Sequence, residues 1–445
     1  MTDDAAVLAG GVPGEGSLVD RFLRIFSDVR PGEGATVLLL TLNLFLLMVG
    51  YYIFKVTREP LVLALPKGAE MKSYAAAAQA VTLMGFVPLY SWFSSRVDRM
   101  RLVMGVIVFF LVCIELFYVG FQTGVPMLGF FFFVWVGIFS LATIAQFWSY
   151  GNDIYDRPTG ERLFPIVAVG ATAGSPLGAL LTAPLFKAGI HPYTMFQITA
   201  ALLVVHLVLY RVIERREAGR RTQTVKAHEP LAGPGGFALL LRNPYLLLVA
   251  GLLLVLNIVN TTGEYLVSRT VVEVASRAGS KEAEVAVLGA FYGGYYFWTN
   301  TLALVLQAFV ASRLVKYLGI GGVVLALPLV GLGTYSIVAS GVGLAVLRWA
   351  KICENATDYS IMNTARQMLW LPTSREEKYK AKQAADTFVV RSGDMLSGLA
   401  VFLGTTFFAA GVRSFAVMNL VLIALWLTLA VRLVRYYRSL SASRG

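Results

Sequence analysis

Charge is scarce in this sequence. Asp, Glu, Lys and Arg make up 14% of its 445 residues, where soluble domains carry about 25%. So few charges beside 57% hydrophobic residues cannot make a water-exposed surface, which excludes a soluble enzyme and a disordered chain. Cysteine is nearly absent. Cys113 and Cys353 both sit in apolar surroundings, so no disulfide framework is implied. His191, His206 and His228 are the only histidines. They do not cluster with carboxylates and show no metal-ligand spacing, so no metal or cofactor is expected. Residues 1–35 lack the basic start and apolar run of a signal peptide.

What the sequence has instead is long apolar runs. A bilayer span needs about 20 such residues. Twelve runs fall near 36–56, 73–94, 102–120, 126–148, 163–187, 193–213, 244–267, 286–311, 320–340, 343–366, 386–409 and 413–434. The run at 343–366 is the least apolar and is placed by context. These runs predict an all-α polytopic membrane protein with twelve transmembrane helices. Its expected parts are a cytoplasmic tail (1–35), a six-helix bundle (36–213), a basic cytoplasmic linker (214–243), a second six-helix bundle (244–434) and a cytoplasmic tail (435–445). Lys and Arg set the orientation. Of the 38, 26 fall on the side of the two termini, nine on the other side, and Arg348, Lys351 and Arg391 inside spans. That bias predicts cytoplasmic termini and explains much of the net charge of +12.

Three short matches recur in order between the two halves. Thr57-Arg58-Glu59-Pro60-Leu61-Val62 resembles Thr262-Gly263-Glu264-Tyr265-Leu266-Val267, Ser95-Arg96-Val97 resembles Ser312-Arg313-Leu314, and Pro158-Thr159 with Glu161-Arg162 resembles Pro372-Thr373 with Arg375-Glu376. They imply two parallel six-helix repeats, the architecture of the major facilitator superfamily, with a site at the midplane between them. Gly170, Gly174 and Gly178 have the small-xxx-small spacing of close helix packing.

Charges inside the membrane need a partner, a water-filled cavity or a substrate. In span 10, Arg348, Lys351, Glu354 and Asp358 share one helix face, with Tyr359 beside it. This face lines a polar cavity, forms an internal salt-bridge ladder, or does both. Span 1 ends in Lys55, Arg58 and Glu59, followed by Pro60, which suggests a bent span carrying Lys55 and Arg58 towards the cavity; snorkelling to the interface is the alternative. Glu264 is the repeat partner of Glu59, so the two form a symmetric gate or pair with cations of the opposite half. Span 11 follows a basic stretch and holds Asp386, Arg391 and Asp394. Lys382, one turn before Asp386, is placed to point into a vestibule, and Arg391 and Asp394 are spaced to pair. Asp153, at the end of span 4, is a candidate for an inner-gate salt bridge or a helix cap. Glu115, in span 3, has no evident partner. No Walker A sequence, nucleophile elbow or dinucleotide fingerprint occurs, so an ATP-driven pump is disfavoured and no enzyme activity is expected.

Several of these segments resemble the bacterial and plastid ATP/ADP translocases, the ADP,ATP carrier family of nucleotide transporters. The first is Lys55-Val56-Thr57-Arg58-Glu59-Pro60-Leu61-Val62 with Gly68-Ala69-Glu70. The second is Phe147-Trp148-Ser149-Tyr150-Gly151-Asn152-Asp153-Ile154. Arg162-Leu163-Phe164-Pro165 with Gly170-Ala171, Tyr359-Ser360 through Arg366-Gln367-Met368 to Leu371-Pro372, and Lys380-Ala381-Lys382 to Ala385-Asp386 follow in order. The resemblance implies a twelve-span facilitator that exchanges ATP for ADP or imports nucleotides. It carries nucleotide-site roles to Lys55, Arg58, Asp153 and Lys382. Lys and Arg in a low-dielectric cavity suit polyphosphate, and Tyr51, Tyr52, Tyr74 or Tyr359 would stack on adenine. The chain departs from the pattern at Ala76, where the family has a lysine, and at Asn260, where span 7 of the family has a glutamate.

The expected function is therefore secondary transport of nucleotides by ATP/ADP-type antiport and alternating access. The alternatives are a proton-coupled or exchange carrier for another anionic solute, and a non-transport lipid-handling or membrane-anchoring module. The substrate-binding candidates are Lys55, Arg58, Arg348, Lys351, Lys382, Tyr359 and Asn260. The gating and charge-pair candidates are Glu59, Asp153, Glu264, Glu354, Asp358, Asp386 and Arg391. The expected partners are a small anionic solute, of nucleotide type, and membrane lipid, with no nucleic acid. A monomer in the inner membrane of a bacterium is expected.

Overall fold

A computed structural model describes residues 18–25, 27–94, 96–97, 99–217, 235–374 and 376–442. Most of the expected basic linker and residues 1–17 of the expected N-terminal tail lie outside the described residues. The described chain is helical with no strand. A short helix α1 (Leu18–Leu23) precedes α2 (Gly34–Leu63), α3 (Gly68–Ser94), α4 (Arg99–Gln122), α5 (Leu128–Ile154), α6 (Arg157–Lys187) and α7 (Pro192–Glu217). The second half runs α8 (Gly236–Arg242), α9 (Pro244–Ala275), α10 (Lys281–Val305), α11 (Ser312–Ala339), α12 (Leu344–Thr357), α13 (Asn363–Met368), α14 (Lys382–Ala384), α15 (Val390–Phe407) and α16 (Val412–Ala442).

Helix covers all twelve apolar runs. Among the described residues, nine stretches are long and apolar enough to cross a membrane. One of them, Lys281–Ala339, is two legs joined at Gly319, whose φ of 62° and ψ of −156° end the first leg. That backbone conformation is essentially confined to glycine. α3 and the stretch 344–368 are not among the nine. The stretch 344–368 carries charges in its interior, and α3 carries Glu70 and Lys72 in its first turns and polar residues such as Gln79 within, which lowers the apolarity of both. Local signals set several starts. Asp156 accepts the Thr159 N–H ahead of α6, Asn243 accepts the Tyr245 N–H ahead of Pro244 in α9, and Ser280 accepts the Ala283 N–H ahead of α10.

Aromatic packing holds the first bundle. Phe54 of α2 meets Phe132, Trp135, Phe139 and Phe196 edge to face, with centroids 5.5–5.9 Å apart. The glycine stripe of α6 lies on α2. A Cβ at Gly170, Gly174 or Gly178 would stand 2.3, 2.5 or 2.6 Å from the carbonyl oxygens of Thr41, Phe45 and Val49. Any larger residue would push the helices apart, so the spacing reads as packing.

The two bundles meet along α6 and α10, α3 and α15, α3 and α9, and α2 and α10. Gly293 of α10 leaves no room for a Cβ, which would stand 2.9 Å from the Ala183 nitrogen of α6. Tyr52 of α2 donates to Asn300 of α10 at 2.9 Å. These contacts close the bundles around the α2–α3 and α9–α10 connections. At the opposite end, α1 packs beside the start of α2, and Arg162 of α6 forks onto Glu33 at 3.0 and 3.2 Å.

Candidate functional site

A cavity of about 330 Å³ lies between the bundles, just inside the closed end. α2 supplies its most basic wall. Lys55 and Arg58 are three residues apart on this helix, so they share a face. Pro60 does not end the helix, which continues to Leu63. Lys55 Nζ lies 5.0, 4.6 and 5.6 Å from the ring centres of Tyr52, Tyr296 and Tyr359, a cage of aromatic faces around one ammonium. No carboxylate comes within 4.0 Å of it among the described residues. The Arg58 guanidinium rests on the Phe133 ring at 4.1 Å, with its Nε 3.4 Å from Glu59.

Glu59 is fully buried. Lys72 of α3 reaches its carboxylate at 2.7 Å, and the Tyr296 hydroxyl donates to it at 2.9 Å. Lys72 Nζ is also 3.8 Å from Glu264 of α9, which in turn accepts from the Tyr295 hydroxyl and the Asn355 amide, each at 2.8 Å. The repeat-related pair Glu59 and Glu264 therefore shares one cation. The chain Glu59–Lys72–Glu264 ties the first bundle to the second at the closed end.

Apart from Glu264 and Arg348, the charges of the second-bundle wall pair within that bundle. Lys351, fully buried, pairs with Glu354 at 3.0 Å and donates to Asn260 Oδ1 at 3.3 Å. Tyr335 donates to Glu354 at 3.1 Å. Arg391 lies 3.4 Å from Asp394, whose Oδ1 accepts from Asn257 at 2.8 Å and from Thr261 at 2.7 Å. Asp358 pairs with Arg366 at 3.2 Å. The span 10 charges thus do not form one continuous ladder. Arg348 has no ion pair among the described residues and lies 5.3 Å from the centre of the Phe291 ring.

Of the residues singled out by sequence, Lys55, Arg58, Glu59, Asn260, Glu264, Tyr359 and Arg391 line the cavity. Lys351, Glu354 and Asp358 are buried behind its wall. Arg348, Lys382, Asp153 and Asp386 are not part of the lining. Lys382 donates to Gln367 at 2.6 Å, and Asp153 is exposed at the end of α5. Sequence reasoning missed Lys72, Gln79, Asn355 and Tyr296. The signal for the first two was the spacing Lys72, Ala76, Gln79, which puts them on one helical face. It was hidden because α3 begins at Gly68, ahead of the apolar run that starts at 73.

No protein-family profile matches the chain. In sequence it is similar to ADP,ATP carrier protein 1 of Chlamydia muridarum, 23% identical over 344 residues, covering 67% of this chain and 63% of that protein. The Chlamydia pneumoniae protein of the same name is 24% identical over 348 residues, covering 67% and 65%. The match therefore spans less than two thirds of these relatives. In structure the chain is similar to the nucleoside transporter NupG, with a TM-score of 0.63, 14% identity and coverage of 90% and 99%. The peptide transporter POT in complex with sulfate gives a TM-score of 0.65, 12% identity and coverage of 94% and 99%. The chain is a multi-pass membrane protein with the fold of the major-facilitator transporters, and in sequence it resembles the bacterial ADP,ATP carriers.

Proposed function

We propose that the protein is a secondary transporter that exchanges nucleotide-type anions across the inner membrane of a bacterium by alternating access. It acts as a monomer with both termini in the cytoplasm. The observation that carries this reading is Lys55, an ammonium with no carboxylate within 4.0 Å among the described residues, beside three tyrosine rings and Arg58 in a cavity between the two halves of the chain. A half-buried cation inside the membrane left open in this way calls for an anionic ligand, and aromatic rings at the same place suit a base. The sequence similarity to ADP,ATP carriers supports the nucleotide class.

In this reading the closed end faces outwards and the Glu59–Lys72–Glu264 chain is its inner latch. Substrate neutralises Lys55 and Arg58. Arg58 then releases its share of Glu59, which loosens the latch and lets the closed end part. The test is counterflow in proteoliposomes loaded with unlabelled AMP, ADP or ATP and given the labelled nucleotide outside. Accumulation without ATP hydrolysis, lost in Lys55→Gln, is the expected result. No accumulation of any of the three by folded, inserted protein would overturn nucleotide exchange.

A second reading is a proton-coupled carrier for a different anion. It is favoured by Asp394, a carboxylate at the cavity held by Arg391. Transport that follows an imposed pH gradient, and loses that dependence in Asp394→Asn, would select it.

A further inference from the structure

The charges that line the cavity nearly cancel, and that bounds what the cavity can hold. Its lining includes four cationic and three anionic side chains, a net formal charge of +1. Lys72 answers both Glu59 and Glu264 at 2.7 and 3.8 Å, Arg391 lies 3.4 Å from Asp394, and Arg58 lies 3.4 Å from Glu59. Lys55 alone is left. Three tyrosine rings lie 4.6–5.6 Å from its ammonium, which leaves it, with Arg58 as the second donor, to meet an anionic group.

The rest of the lining is neutral and hydrogen-bonding. Gln79 faces the cavity with its amide oxygen buried and unpartnered. Gln79, Ser140 and Asn260 together give the lining neutral side chains that can hydrogen-bond the uncharged body of a ligand. The volume, about 330 Å³, is at the small end of the roughly 300–1,000 Å³ typical of ligand sites.

We infer that this cavity selects a solute with one anionic group, a phosphate monoester of the nucleoside monophosphate type, over the nucleoside di- and triphosphates. The inference rests on the nucleotide reading above and sharpens it. A phosphate monoester carries about −1.5 to −2 at pH 7, which Lys55 and Arg58 can meet. Every further phosphate brings charge into the low-dielectric cavity with no free cation to receive it, and burying unanswered charge is strongly unfavourable.

The test is direct binding to the purified full-length protein, by calorimetry in detergent or nanodiscs, with AMP, ADP, ATP, adenosine and inorganic phosphate. AMP is expected to bind about tenfold more tightly than ATP, and more tightly than either adenosine or phosphate alone. Lys55→Gln should remove the preference for AMP over adenosine. Ala76 lines the cavity one turn beyond Lys72, so Ala76→Lys adds a cation there and should shift the AMP-to-ATP ratio towards ATP by about tenfold. ATP or ADP binding as tightly as AMP overturns the inference and leaves nucleotide recognition standing. An unchanged ratio in folded Ala76→Lys protein also overturns it. If none of the nucleotides binds to protein that melts cooperatively, the nucleotide reading itself falls. Phosphate binding as tightly as AMP would overturn the nucleoside part of the claim.

Discussion

On the wall built by α2, Lys55 and Arg58 stand three residues apart with the same sign. On the wall built by α12 and α15, Lys351 and Glu354, and Arg391 and Asp394, stand three residues apart with opposite signs and pair at 3.0 and 3.4 Å. The spacing is the same and the outcome differs. Opposite charges one turn apart neutralise each other inside one helix and let it lie in the membrane. On α2 the carboxylate one turn beyond Lys55, Glu59, is taken by Lys72 of α3 at 2.7 Å, and Lys55 remains available to a ligand. What an intramembrane charge does therefore depends on which carboxylates its own helix leaves free to it.

The largest expected effect tests the self-neutralised wall. Glu354→Gln strands Lys351 as a fully buried, unpaired ammonium and should cost about 3–5 kcal/mol of stability. Thermal unfolding in detergent would show it. The double change Lys351→Met with Glu354→Leu should recover most of the loss, because the pair is removed whole. Should Glu354→Gln instead melt normally and fail to bind substrate, this wall binds ligand and the contrast breaks.

Lys55→Gln makes the opposite prediction. Among the described residues no carboxylate pairs with Lys55, which has only its tyrosine rings, so melting should stay within about 1 kcal/mol of the parent. Substrate affinity should fall about a hundredfold, or about 2.7 kcal/mol. A drop in both would mean that the tyrosine cage needs its ammonium to fold.

Lys72 lies between these extremes, since it holds two carboxylates from different bundles. A double-mutant cycle of Lys72→Gln and Glu264→Gln should give a coupling of about 1–2 kcal/mol in unfolding. It would be larger than for Lys72 with any residue that it does not touch. A coupling near zero would remove the latch from the mechanism.

Much of the fold was legible because apolar runs, capping residues and small-residue spacing act locally. The stripe Gly170, Gly174 and Gly178 needs only helix geometry to announce a close neighbour. Lys55 and Arg58 were legible for a similar reason, being charges embedded in an otherwise apolar run. Lys72 was not, because its importance comes from burial between bundles, which the sequence ahead of the apolar run at 73 does not encode. Arg348 and Lys382 show the reverse limit. The first continues the helical spacing of Lys351 and Glu354, and the second follows the basic stretch ahead of span 11. Spacing fixes a face but not the depth at which the cavity opens, and the structure leaves both outside the lining.

The smallest effect concerns an ion pair outside the spans, which calibrates the buried ones. Glu33 precedes α2 and takes a two-pronged contact from Arg162 at 3.0 and 3.2 Å, with the Arg30 N–H donating at 2.8 Å. Burial pushes the Glu33 carboxyl up, but the Arg162 hydrogen bond, the Arg30 N–H and the charges of both arginines outweigh it and hold the group below its ordinary value of 4.5. A carboxyl depressed on folding stabilises the native state above its unfolded pKa, and that stability is lost as pH falls through the folded value. The melting temperature should therefore drop on acidification below the ordinary carboxyl range, and Arg162→Gln should flatten that drop. Because the pair is partly solvated, the difference should stay under about 1 kcal/mol, several times less than for Lys351 and Glu354. Equal losses at the two sites would mean that burial does not set the strength of these pairs, and the contrast between the walls would then rest on sign alone.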